Sequence, residues 1–124
     1  EMAGPGGYWT QMVRPIFLER GCAPEAYEVL QVIREALAAG EAAARPGNRI
    51  CDVDEAIAQV VKKRGCHAGV WAGHGMGGDL GDVVGRSDGL LYGNTYAVTE
   101  TGVQNLTDAY TGSSYLEDLL EEMG

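Results

Sequence analysis

Apolar residues change their spacing along the chain, and each change marks an element. From Tyr8 to Leu18 aromatic and β-branched types dominate, with Tyr8, Thr10 and Met12 alternating with Trp9, Gln11 and Val13. This period of two predicts a strand, and Pro15 places a bulge or an edge within it. From Pro24 to about Ala44 the apolar positions Ala26, Val29/Leu30, Ile33 and Leu37 fall at helical spacing. Pro24 suits a first turn, and Pro46-Gly47 stops the pattern. A second helix is predicted over Val53 to Lys63, with Asp52 as N-cap, Glu55 three residues on in a capping-box arrangement, and Val53, Ala56/Ile57 and Val60 as its buried stripe. Lys62-Lys63-Arg64 complement the dipole at its end, and Gly65 closes it.

Beyond Gly65 the period changes again. His67 to Trp71 and Leu90 to Thr99 read as strands on either side of a glycine-rich span, Gly73 to Gly89, which excludes a stable helix. Glu100-Thr101-Gly102 reads as a turn, Val103 to Leu106 as a short strand, and Tyr115 to Met123 as a terminal helix. The acids Glu117, Asp118, Glu121 and Glu122 of that helix form a solvated face. No internal repeat and no linker is visible.

Composition narrows the class. With 124 residues, 45% of them hydrophobic, the chain supports one core, expected as one domain over residues 1–124. A formal charge of -9 excludes nucleic acid and anionic membrane as partners, since both need a cationic face. No window approaches the ~20 apolar residues of a membrane span, and the N-terminus carries no basic region followed by an apolar stretch. Cys22, Cys51 and Cys66 are odd in number and scattered, which fits buried thiols in a reduced, cytoplasmic setting. The chain opens at Glu1 rather than Met, as a processed chain or a piece of a longer one would.

The chemistry concentrates in Ala72-Gly73-His74-Gly75-Met76-Gly77-Gly78-Asp79. Glycines leave the His74 ring unshielded, which suits a metal ligand or a proton carrier, and equally a turn whose histidine only caps a carbonyl. Gly73, Gly75 and Gly78 formally satisfy a dinucleotide fingerprint, but Asp79 and Asp82 follow where a helix N-terminus should receive the pyrophosphate, and carboxylates there repel it. Asp79, Asp82 and Asp88 match no twelve-residue calcium loop and read as a surface turn.

In order along the chain stand Gly7-Tyr8 with Arg14, a long helix ending in Arg45-Pro46-Gly47, a helix opened by Asp52-Val53, Gly-His-Gly-x-Gly around His74, and Val98-Thr99-Glu100-Thr101-Gly102 followed by Leu106-Thr107. Together these resemble the C-terminal catalytic domain of the pita-bread metallopeptidases, which include methionine aminopeptidase, prolidase, aminopeptidase P and the non-peptidase creatinase. The resemblance implies an α/β (α+β) fold: a curved, mostly antiparallel sheet backed by two main helices. It also implies two aspartates, a histidine and two glutamates holding a divalent pair that activates water. His74 matches the ligand histidine. Glu1 falls at or beside the first aspartate, Gln11 stands for the second, and Gly93 stands where the final glutamate belongs. The strand that carries the other glutamate has no counterpart between Gly89 and Leu91, so a hairpin of the sheet is missing.

Glu1 and His74 are then the remaining candidate metal ligands, too few for a dinuclear site of Mn, Co, Fe or Zn, and no cofactor is expected unless the peptidase reading holds. The reading that follows is a hydrolase-like member of the creatinase/aminopeptidase family, acting on a C–N bond of a small amide, amidine or Xaa-Pro-type peptide. His74 would serve as general acid/base or hydrogen-bond donor, with Gln11, Arg14 and Glu1 as polar wall. The alternatives are an inactive binding or assembly module, or a fragment of a larger metallopeptidase. The missing hairpin further predicts an exposed apolar edge at Leu90, Leu91 and Tyr92, covered by homo-oligomerisation.

Overall fold

The computed structural model describes residues 2–21, 24–67, 92–107 and 115–123. Its first elements are β1 (Met2–Ala3) and β2 (Trp9–Thr10), an antiparallel pair in the register Met2↔Thr10 and Ala3↔Trp9. The turn between them is a short 3₁₀ segment, Pro5–Gly7, in which Gly6 (φ 80°) and Gly7 (φ 79°) occupy backbone space that L side chains avoid. The strand expected as far as Leu18 does not continue as a ladder. After β2 the segment keeps only isolated bridges, Val13 with Gly93 and Phe17 with Tyr115. Pro15, between those bridges, has no N–H to donate, which interrupts pairing there.

Helix α1 (Pro24–Ala43) fills the span expected for it. Its buried line is Leu30, Ala36 and Gly40, with Ala26, Val29, Ile33 and Leu37 only partly covered. The line runs through small residues because α2 (Ile50–Lys63) presses close: a Cβ on Gly40 would stand 2.7 Å from Cδ1 and 2.9 Å from Cγ1 of Ile57. Val53 and Ile57, predicted as the inner stripe of this second helix, are the side chains that meet Gly40.

The start of α2 corrects the expectation. The helix opens at Ile50, with Arg49 as N-cap and Asp52 in its third position. The Asp52 carboxylate accepts the Arg49 backbone N–H (2.8 Å) and the Arg49 guanidinium (2.8 Å), so it supplies the returning half of a capping box and not the cap itself. At the other end Gly65 (φ 73°) donates to Lys62 O, Cys66 donates to Val61 O, and Arg64 pairs with Glu35 of α1. The thiols also differ from expectation. Cys51 is exposed and Cys66 half-exposed, both free, because they sit at helix ends and not on the inner faces. Cys22 lies outside the described residues.

Strands β3 (Tyr96–Thr99) and β4 (Gly102–Asn105) form an antiparallel hairpin from Tyr96↔Asn105 to Thr99↔Gly102, turning at Glu100-Thr101 as predicted. The first of these strands begins later than the expected Leu90, because residues 93–95 are engaged in a different set of bonds described below. Helix α3 (Leu116–Met123) follows Tyr115, whose ring stacks on Tyr27 (centroids 6.0 Å apart) and meets Phe17 (5.9 Å). Arg20 lies over Tyr115 and pairs with Asp118, anchoring the last helix to the N-terminal segment. The architecture is thus α/β, with short antiparallel pairs and two main helices. Among the described residues no helix is long and apolar enough to cross a membrane. The strand expected over His67 to Trp71, the glycine-rich span and Leu90 lie outside the described residues, apart from His67, which is exposed at the end of its segment.

Candidate functional site

Two positions singled out from the sequence, Gln11 and Gly93, come together. Antiparallel pairing between Val13 and Gly93 (N···O 3.0 and 3.1 Å) sets the register of the two segments. Two residues along each, Gln11 faces Thr95. Here the ladder is completed by a side chain: the buried Thr95 hydroxyl accepts the Gln11 N–H and donates to the Gln11 carbonyl, both at 2.8 Å. The backbone of Thr95 is spent elsewhere, its N–H on the Thr107 hydroxyl (3.1 Å) and its carbonyl on the Leu106 N–H (2.8 Å). Thr95 is therefore saturated, as a buried polar residue must be.

Arg14 projects into the same place. Its Nη1 donates to the carbonyls of Val13 (2.8 Å) and Gly93 (2.7 Å), and its Nη2 donates to Oδ1 of Asn94. The guanidinium stacks on Tyr92 (4.2 Å to the ring centroid), and Arg34 of α1 approaches that ring from 5.6 Å. Asn94 passes the network on: its Nδ2 donates to the Tyr96 hydroxyl (2.9 Å), which donates to the Glu41 carboxylate on α1. Burial, then the bond to Glu41, raise the Tyr96 pKa well above its ordinary range and keep the phenol neutral. Thr107 closes the ring of contacts on Asn94 and Asn105.

This assembly can bind and orient a ligand. It offers a fixed cation, amide groups and a neutral phenol, while its one buried hydroxyl, that of Thr95, is committed to Gln11. Gly93 contributes no side-chain donor, and the oxygens of Gly93 and Asn94 already serve the Arg14 cation. Among the described residues no group of three or more His, Cys, Asp and Glu side chains is arranged to hold a metal.

Of the residues picked from the sequence, Gln11 and Arg14 stand together in this network. His74 and Glu1 lie outside the described residues. Tyr92, expected on an exposed apolar edge with Leu90 and Leu91, is instead half-buried beneath Arg14; Leu90 and Leu91 are outside the described residues. Sequence reasoning passed over Glu41, Asn94, Thr95 and Tyr96. A signal existed for three of them: Asn94, Thr95 and Tyr96 directly follow the glycine at a ligand position. Glu41 gave none, since a glutamate near a helix end ordinarily faces water.

The family model for Metallopeptidase family M24 matches residues 2–119. No curated protein matches the chain. No solved structure matches it.

Proposed function

The chain belongs to Metallopeptidase family M24, and from that premise we propose that it is a hydrolase-like member of the family acting on a C–N bond of a small amide, amidine or Xaa-Pro-type peptide. Members of this family typically use divalent metals. The residues of this chain do not fit a divalent pair: glycine stands at one ligand position, an amide side chain at another, and the nearby oxygens bind a guanidinium. The chemistry is accordingly assigned to protein groups. His74 is the general acid/base that moves a proton to the departing nitrogen, and Gln11 and Arg14 orient the substrate's polar groups.

The observation that carries this reading is the register that seats Gln11 against Thr95 while Arg14 spans Gly93 and Asn94. It keeps the family's pairing of those segments while replacing acidic ligands by neutral and cationic groups. The test follows release of ammonia or amine from a panel of small amides, amidines and Xaa-Pro dipeptides. Turnover that persists with a strong chelator and falls ~100-fold or more in His74→Ala, with melting unchanged, supports the reading. Turnover abolished by the chelator and restored by metal returns the chain to metal-dependent hydrolysis. No turnover on any member of the panel favours a binding or assembly module.

A further inference from the structure

A guanidinium carries five N–H donors in one plane, and Arg14 uses three of them on acceptors among the described residues. All three acceptors are neutral: two backbone carbonyls and an asparagine amide. No described carboxylate forms an ion pair with Arg14; Glu41, close in the network, is engaged with the Tyr96 hydroxyl. The Nε atom is buried and has no hydrogen-bond partner. A buried cation with an idle donor and no anionic partner is a costly arrangement for a fold to keep without a use.

The idle donors have a shape. Nε–H and the neighbouring Nη2–H point the same way in the guanidinium plane, and their spacing matches the two oxygens of a carboxylate. The three existing bonds and the Tyr92 ring at 4.2 Å fix that plane in advance, so a ligand would not have to order the side chain.

We propose that the Nε edge of Arg14 is a binding site for a carboxylate carried by a small ligand, which makes the substrate an amide or amidine bearing a carboxylate group. The site rests on the hydrolytic reading above only for the rest of that ligand. A carboxylate is preferred over phosphate because the chain's net charge of -9 penalises a dianion more than a monoanion.

The experiment titrates the full-length chain with N-acetylglycine and with N-acetylglycinamide, which differ only in the carboxylate, following the Arg14 Nε–H resonance by NMR and affinity by calorimetry. The acid should move that resonance and bind ~10-fold tighter than the amide, the difference expected of a charge-assisted bidentate pair. Arg14→Lys, which keeps the charge and loses the fork, should remove most of the preference, and Arg14→Gln all of it. Should neither variant fold, the wild-type resonance and the acid-to-amide ratio still decide. Equal affinity for acid and amide, no binding of either, an unmoved Nε–H, or inorganic phosphate binding as tightly as N-acetylglycine would each overturn the proposal. So would a resonance shift produced by Asp79→Asn, Asp82→Asn or Asp88→Asn without ligand, which would identify the chain's own carboxylate as the partner. Binding without turnover refutes the hydrolytic reading alone, and turnover of neutral amides at the same rate as acids refutes the carboxylate site alone.

Discussion

The Thr95 hydroxyl bonds both backbone groups of Gln11, accepting from its N–H and donating to its carbonyl at 2.8 Å each. A side chain thereby replaces one rung of a β ladder, two residues from the true rung between Val13 and Gly93. Replacing threonine by valine keeps the shape and strips both bonds, leaving two backbone groups of a part-buried segment without partners. Thr95→Val should cost about 1–3 kcal/mol in denaturant unfolding, whereas Thr95→Ser, which retains the hydroxyl, should lose well under half of that. Equal losses in the two variants would mean that the methyl group, and not the bonds, matters.

Tyr96 joins the hairpin to α1 through Glu41, and burial together with that carboxylate holds its proton above the ordinary pKa of 10.0. The unfolded chain releases the proton near 10.0 while the fold retains it, so this stabilisation is complete below pH 10 and drains as pH rises beyond it. Thermal melts between pH 8 and 11 should show wild type losing its margin over Tyr96→Phe at the alkaline end. A constant gap between the two curves would refute the coupling.

Gly40 lies on the contact of α1 with α2, where an added Cβ would come 2.7 Å from Ile57 Cδ1. Alanine gains about 0.5–1 kcal/mol of helix propensity, but overpacking costs about 1–3 kcal/mol, so Gly40→Ala should be net destabilising. Ile57→Val removes the Cδ1 atom and should recover most of the loss in the double variant. Additive losses would show that the two positions do not share the contact.

Both main helices and the final hairpin were legible in the sequence, because each announces itself locally: apolar residues at helical spacing from Ala26 to Leu37, and Glu100-Thr101-Gly102 between two short strands. The Asp52 role was misread by three residues, since a carboxylate answers equally well as N-cap or as the third residue of a capping box. The first strand was read too long because alternation from Tyr8 to Leu18 specifies two faces and says nothing of a partner for each rung. The register of Gln11 against Thr95 follows from the family's motif order. The network behind it does not: Glu41 meets Tyr96 across 55 residues of chain, a contact fixed by how α1 and the hairpin pack.

Gly93 offers a direct test of why this chain departs from the family's ligand set. Its φ is not in the left-handed region, and a Cβ built there would meet only Val13 side-chain atoms at 3.9 and 4.0 Å, an ordinary contact. Neither backbone strain nor crowding demands glycine, so a glutamate is sterically admissible. Wild type should purify without two stoichiometric Mn, Co, Fe or Zn ions, because neither an amide nor an absent side chain replaces a carboxylate for a divalent ion. Gln11→Asp with Gly93→Glu should fold and bind Mn²⁺ measurably tighter than wild type in calorimetry. The paired carboxylates would also compete with the carbonyl of Gly93 and with Asn94 for the Arg14 guanidinium, so Arg14→Gln added to the double variant should tighten Mn²⁺ further by removing the competing cation. Two tightly bound ions in the wild type would show that residues outside this network hold the pair, and would reinstate metal-dependent chemistry.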